Sequence, residues 1–562
     1  MLSSKQELAS KLGVRYNYLT YILYVIKPDN CYTSFNIPKK DGTNREICAP
    51  NKELKDIQKR LAKFLAKQKI QMDSKLSNKE KLVSHGFETD KNIITNAKIH
   101  RNKRYVLNID LKNFFDSFHI GRIIGYFEKN NNFNFPREVA VVIAQLSCYK
   151  SKLPQGAPSS PIITNLICQV LDRQLLLLAK KYRVNYTRYA DDLTFSTNNK
   201  KFVLLYEECV NEIAKIIEKN GFVINQKKTR LIYKDSKQKV TGLIVNKKIN
   251  IDNDYFKDTK AMAHSLYKNG KFVIDGKEGT IQQLEGRLSF INLLDSYNHI
   301  NSAERNQRPF NRREVEYQKF LFYKYFLNND KPLIITEGKT DPLYIKAALK
   351  ALYNNYHKLI EKKDEKFEYG ISFFSKPKTF QYLFKFSQTG GDALQKVFQA
   401  YCDNGLYAKC GRMIQKYVIQ PKHPIILLLD NESMGKDKPL YKFLKNSGLI
   451  KNKKDEISGQ LSSRIFDGKN LYAVTIPLVN GKEETEIEDL LDEKTLQTII
   501  DGRTYQSKVK SGDNLHYSKN VLSKYVYDNY KTINFERFKK LFDTIENVLD
   551  SYYISLKDCT PK

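Results

Sequence analysis

Three carboxylates in this chain stand where a sheet would present them together. The run Val106-Leu107-Asn108-Ile109-Asp110 is an apolar strand ending in an acid. Tyr189-Ala190-Asp191-Asp192 lies between two short β-like runs, so a tight hairpin carries both acids at its tip. Three acids aimed at one spot from two strands are electrostatically costly without cations. Two Mg2+ ions about 4 Å apart are what an in-line phosphoryl displacement uses to steady the attacking and leaving oxygens. A second acidic set follows: Leu333-Ile334-Ile335-Thr336-Glu337 ends a strand in a glutamate, and Ile425 to Leu429 runs into Asp430-Asn431-Glu432. Neighbouring strand ends of a doubly wound sheet share one edge, which gathers Glu337, Asp430 and Glu432 as hard oxygen ligands for Mg2+. Asp341, before Pro342, reads equally as a further ligand of that edge and as an N-cap with proline at the first helical position.

The elements that must position these residues are legible as periodicities. The first 30 residues are helical in pattern; Tyr32 to Ile47 reads as a hairpin turning at Lys40-Asp41-Gly42-Thr43, with basic residues on both flanks. Leu54, Ile57, Leu61 and Phe64 recur at helical spacing, with Lys55, Lys59, Arg60, Lys63 and Lys67 between them as a cationic face suited to a phosphate backbone or to plain solvation. Strands are expected at 105–110, 185–190 and 193–197, and helices near 136–147, at 162–181 and at 202–219, the last closed by Gly221. Leu153 to Pro161 carries Gln155 and Gly156 among three prolines, a stiff loop whose glycine admits close backbone approach by a template or nucleotide. Arg305 to Arg313 is basic and Asn-rich, a linker or a nucleic-acid-facing loop. The expected organisation is 1–325, a linker at 326–331, a second α/β unit at 332–495 and an extension at 496–562.

At 562 residues the chain has room for three or four domains, and 95 Lys and Arg against 62 Asp and Glu give a net charge of +33. A polyanion is the expected partner. No run approaches the ~18 consecutive apolar residues of a membrane span, so no membrane role is expected. The start, Met1-Leu2-Ser3-Ser4-Lys5, has no export-signal pattern. The eight cysteines are scattered without a C-x-x-C pair, which argues against a disulfide framework or a structural zinc site and for a reducing cytoplasm.

With Asp110, the Pro154-Gln155-Gly156 loop and Tyr189-Ala190-Asp191-Asp192 in that order, the chain resembles the right-hand palm of reverse transcriptases over roughly residues 35 to 250. The resemblance implies a fingers-palm-thumb polymerase using dNTPs and two Mg2+ ions held by Asp110, Asp191 and Asp192. It further implies that Phe115 blocks a ribose 2′-hydroxyl, that Lys228 lies near the incoming phosphates, and that Arg45, Gln155 and Gly156 also contact the nucleotide. Asn96-Ala97-Lys98-Ile99-His100 and Val240-Thr241-Gly242 resemble two signatures of retron reverse transcriptases, which a group II intron or diversity-generating enzyme would leave unexplained. That narrower resemblance implies RNA binding by Asn96, His100, Thr241 and Gly242. It also implies a cognate structured noncoding RNA, priming from a guanosine 2′-hydroxyl, and a branched RNA-linked DNA product, msDNA.

The second acidic set resembles the Toprim domain, with a strand-end Glu337-Gly338 and a later Asp430-x-Glu432 where Asp-x-Asp is usual. The fold class implied for the whole chain is α/β and α+β multidomain: a right-hand polymerase followed by a Rossmann-like Toprim domain. That half would hold one or two Mg2+ ions and act as a nuclease on cellular RNA or DNA, in phage defence and restrained by msDNA. The alternative is a catalytically silent nucleic-acid-binding module. Glu488 and Asp489 read as a further acidic element or as an acidic helix start, and Gly390-Gly391 as a loop near the metal edge or a turn. The oligomeric state, a homo-oligomer included, is left open.

Overall fold

The structure, a computed structural model, describes residues 2–38, 42–74, 83–299, 308–375, 377–385, 390–401, 408–417, 419–432, 439–446, 462–464, 470–507, 509 and 512–558. The chain divides into two bodies, Met1–Tyr255 with Leu294–Asn298, and Phe256–Leu293 with His299–Lys562.

In the first body the expected elements form close to their predicted bounds. Tyr32–Pro38 and Asn44–Pro50 pair as an antiparallel hairpin; Lys40 and Asp41 of its expected turn lie outside the described residues. Lys52–Ser74 is a helix that buries Leu54, Ile57, Leu61 and Leu65 while Lys55, Lys59, Arg60, Lys63 and Lys67 face solvent. The central sheet is antiparallel. Its order is Asn185–Tyr189, Asp192–Thr197 and Tyr105–Lys112, with Val223–Ile224 and Arg230–Tyr233 both on the far side of the last. Helices Arg137–Ser147, Ser160–Lys181 and Phe202–Lys219 supply much of the core, and Gly221, at φ +74°, follows the last of them. Ser160–Lys181 is long and apolar enough to cross a membrane by length and composition, the one such helix among the described residues, though polar residues interrupt it and no run of consecutive apolar residues spans it. In this fold 61% of its most apolar window is buried.

The second body is built on a five-stranded sheet in the order Ser372–Phe373, Leu333–Thr336, Ile425–Leu429, Leu471–Thr475 and Ser462–Arg464. The first four strands are parallel and the edge strand is antiparallel. Every residue of the three central strands is buried, as mostly apolar strands between two helical layers require. Several expectations change here. Residues 326–331 are not a free linker, because Phe326 and Leu327 are buried at the end of the helical run that begins at Arg312. That core also contains Ala263, Leu266, Tyr267, Leu284 and Leu288, so most of residues 256–293 belongs with the second body rather than to a unit ending at 325. The expected extension at 496–562 is likewise integral. Tyr517, Leu522, Phe538, Phe542 and Leu549 share one core with Tyr344, Ile345, Ile426 and Leu428. Gly390 and Gly391 open the helix Gly390–Tyr401 rather than forming a loop. Of the basic segment Arg305–Arg313, residues 305–307 lie outside the described residues, and the rest leads into the helix Arg312–Phe322, capped by Asn311.

Candidate polymerase site and a second acidic edge

Strand register brings the three palm acids together. Asp110 lies directly opposite Asp192 in the antiparallel ladder, and the Leu111 N–H donates to the Asp191 carbonyl at 3.0 Å. Opposed positions hold their Cβ atoms about 5 Å apart, a spacing at which like charges repel. Asp192 shows it: loss of hydration around its carboxyl, then the charges of Asp191 and Asp110, push it up to about 7. Asp191 is raised by burial and by Asp110, and drawn back by Lys228 and Arg45, which places Arg45 within electrostatic reach of the site. Asp110 is engaged by cationic and amide donors, Lys228 Nζ at 2.9 Å and Asn225 Nδ2 at 3.0 Å. No three acids, histidines or cysteines among the described residues close into a metal-holding group. The donor set itself suits a hard cation: three oxygen-bearing acids whose mutual repulsion a positive charge relieves.

The remaining residues divide between those at the site and those beneath it. Phe115 is half-buried in a short turn five residues after Asp110, its ring 5.5 Å from that of Phe114. The Gln155 carbonyl accepts from Cys48 N–H at 2.8 Å, and a Cβ on Gly156, at φ +121°, would stand 2.7 Å from the Cys48 carbonyl oxygen. Gly156 is therefore needed for the loop to dock on the Asn44–Pro50 strand.

Asn96 and His100 are corrected: both have zero solvent exposure, so neither presents a side chain to RNA in this structure. Thr187 Oγ1 donates to the Asn96 side-chain Oδ1, His100 Nε2 meets Thr187 Oγ1 at 2.7 Å, and His100 Nδ1 meets Ser196 Oγ at 2.7 Å. Because the Thr187 proton is spent on Asn96, its oxygen must accept, which puts the imidazole proton on Nε2 and leaves Nδ1 to accept from Ser196. The ring thus joins the two strands of the Asp191-Asp192 hairpin from below. Thr241 Oγ1 donates to the Ile93 carbonyl at 3.4 Å, so this turn rests against the helix carrying Asn96; Gly242, at φ +83°, is exposed.

Burial lowers the His100 pKa to about 3, with His85 and Lys103 adding to it. The unfolded chain takes up a proton below about pH 6.5 that the folded site refuses, so stability is complete above that pH and falls as pH drops toward 3, by up to about 1.4 kcal/mol per unit. His100→Gln is expected to flatten that slope, read by denaturant unfolding at pH 7, 6 and 5.

Sequence reasoning passed over Arg188, Asn225 and Phe87. Arg188 is fully buried and makes a two-pronged pair with Asp172 at 2.8 Å on each arm; its signal was a lone cation inside a strand. Asn225 sits three residues before Lys228. Phe87 follows the pair His85-Gly86.

In the second body Glu337 and Asp430 emerge from adjacent parallel strands paired Thr336 to Leu428, and Glu337 accepts from the Asp430 backbone N–H. Burial first, then Glu337, Asp341, Glu486 and Glu488, push the Asp430 carboxyl up to about 8. Burial and Glu432 raise Glu337. Glu432 accepts from Leu440 N–H at 3.2 Å, at the start of the next helix. Asp341 is not the N-cap: Thr340 holds that place, and the Asp341 carboxylate turns back to accept from Gly338 N–H at 2.8 Å. Asn431 bridges to Thr485 and so brings Glu486 and Glu488 to the same edge. Asp489 caps its own short helix through Glu486 N–H at 2.8 Å, the bland reading of that residue. Glu488 is buried. One of its oxygens pairs with Lys519 at 3.1 Å, while the other has no hydrogen-bond partner among the described residues, an acceptor that a cation would satisfy.

An antiparallel sheet with a strand-end acid facing a two-acid hairpin is the palm of a template-directed polymerase, and the profile of reverse transcriptases (RNA-dependent DNA polymerases) matches residues 37–245. The chain is 35% identical over 283 residues to the retron Ec86 reverse transcriptase of Escherichia coli, covering 50% of this chain and 82% of that protein. It is 32% identical over 331 residues to the retron Mx162 reverse transcriptase of Myxococcus xanthus, covering 52% of this chain and 64% of that one. It belongs to the retron reverse transcriptases. A solved apo telomerase from Candida tropicalis aligns with 52% of this chain and 60% of its own at 15% identity, with a TM-score of only 0.32.

Proposed function

We propose that this reverse transcriptase copies its own structured noncoding RNA into branched RNA-linked msDNA, and that its second body is a Toprim-like nuclease that msDNA holds in check during phage defence. The observation that carries the polymerase site is the opposition of Asp110 and Asp192, with Asp191 beside them. Asp110, Asp191 and Asp192 would hold two Mg2+ ions. Divalent cations there neutralise charge on the attacking and leaving oxygens. Lys228 and Arg45 bring positive charge to the same spot for the incoming phosphates, Phe115 stands where a 2′-hydroxyl would collide, and the Gln155-Gly156 loop braces the hairpin bearing Arg45. Thr241 and Gly242 remain candidate RNA contacts; Asn96 and His100 act from beneath.

For the second body, Glu337, Asp341, Asp430 and Glu432 would hold one or two Mg2+ ions, and the reading rests on strand-end acids that meet at one sheet edge, raised by burial first and then by one another's charge. A second reading, a silent nucleic-acid-binding module, is favoured by Lys519, which already neutralises Glu486 at 2.7 Å and Glu488 at 3.1 Å.

The test is to express the protein with the RNA encoded beside it and look for DNA that a debranching enzyme frees from RNA. The purified complex is then offered cellular RNA and single- and double-stranded DNA, before and after DNase treatment. Cutting that begins when msDNA is destroyed is the expected result. No cutting in either state overturns the nuclease reading and leaves the silent module. RNA affinity is expected to fall with salt at a log–log slope of about −4 or steeper, the value for about six phosphates on single strands. A flat plot would contradict the cationic face on Lys52–Ser74.

A further inference from the structure

Phe87 is an exposed aromatic ring held beside the candidate polymerase site at a cost in backbone strain. It is 50% exposed, and its φ is +62°, in the left-handed region that a bulky side chain seldom occupies. The segment around it is pinned to the hairpin that carries Asp191 and Asp192. His85 N–H donates to the Arg188 carbonyl at 2.8 Å, and Arg188 N–H donates to that of Val83 at 2.9 Å. Asn165 Nδ2 donates to the Gly86 carbonyl at 2.8 Å. A Cβ on Gly86 would stand 2.6 Å from the Ala190 nitrogen, so the backbone approach is as close as glycine alone permits. The phenyl ring lies 6.5 Å from that of Phe115, at 60° to it.

Strain that the surroundings over-determine, around a side chain that the core does not consume, points to a ligand. The apolar face left open beside Phe115 fits one thing that a polymerase site receives: the flat face of a nucleobase, which stacks on an aromatic ring whatever its identity. We propose that Phe87 is a substrate-contacting residue that stacks on a nucleobase in the polymerase site, either the templating base or the base of the incoming nucleotide. This rests on the placement of that site at Asp110, Asp191 and Asp192.

Phe87→Gly separates a contact from a structural role, because glycine removes the ring and accepts the left-handed backbone without strain. Full-length protein with its RNA is assayed for template affinity by titration, for KM of each dNTP, and for melting temperature. The expected result is about a tenfold loss in one binding constant, with a melting temperature no lower than the parent's and recovery of binding in Phe87→Tyr. A loss confined to template affinity assigns the templating base, and one confined to KM assigns the incoming nucleotide. Unchanged binding constants, or a loss accompanied by a fall in melting temperature that Phe87→Tyr does not repair, overturn the proposal. If Asp191→Asn kept full activity, the site placement itself would fail; an inert Phe87→Gly beside a dead Asp191→Asn would refute this contact alone.

Discussion

The Asp191→Asn protein is expected to bind its RNA and fail to copy it. The exchange keeps the volume and shape of the side chain and removes one of three negative charges at the palm. Because those charges repel, their reduction does not unfold the site: the carboxyl of Asp192, now at about 7, moves back toward its ordinary value when a neighbour becomes neutral. What is lost is the anionic oxygen that a divalent cation requires. DNA synthesis should fall by at least about a thousandfold, equivalent to about 4 kcal/mol at the transition state. RNA affinity and melting temperature should stay at parental values. Primer extension and a filter-binding titration on one preparation measure both, and extension at near the parental rate would remove Asp191 from the site.

Glu337→Ala should abolish Mg2+-dependent cutting by the second body, by about a hundredfold or more, and leave DNA synthesis within about twofold of the parent. The two acid sets lie in different bodies, so a joint loss would signal misfolding. Stability supplies an independent control with a definite sign. A carboxyl whose folded pKa is raised lowers stability progressively between its unfolded and folded values, which for Asp430 is from pH about 4 to about 8. Glu337 is the largest charge contribution to that rise, so deleting it relieves the penalty. Metal-free Glu337→Ala should therefore melt no earlier than the parent at pH 8. A lower melting temperature together with lost cutting would make the loss structural.

The palm was legible because two short-range signals agree on it. A strand of apolar residues ending at Asp110 and a turn at Asp191-Asp192 need only antiparallel pairing to meet, and the register puts Asp110 opposite Asp192. The same holds for Glu337 and Asp430, which follow short, mostly apolar runs of the kind that buried parallel strands carry. What sequence does not carry is the partner of a face. RNA contact by Asn96 and His100 is implied only by the retron-like signature they belong to; the sheet beneath them, with Thr187 and Ser196, shows where their hydrogen bonds go. Gly156 could be read as a site of close approach, but not that the approaching group is Cys48. Helical spacing at Ala263, Leu266 and Tyr267 says that one face is covered, and is silent on the covering residues, which proved to come from far down the chain.

That covering decides how the two halves can be taken apart by truncation. Tyr267 packs 5.2 Å from Tyr323 and 5.8 Å from Tyr417, and Phe320 and Leu321 share a core with Leu333, Phe380 and Leu427. A chain stopped at residue 325 would strip the neighbours from these side chains and put apolar surface into water at about 1.5–3 kcal/mol for each large residue uncovered. A shortened polymerase that precipitates or loses activity would report torn packing, not dependence of copying on the acidic edge. Single substitutions in the intact chain are the cuts that leave both halves whole.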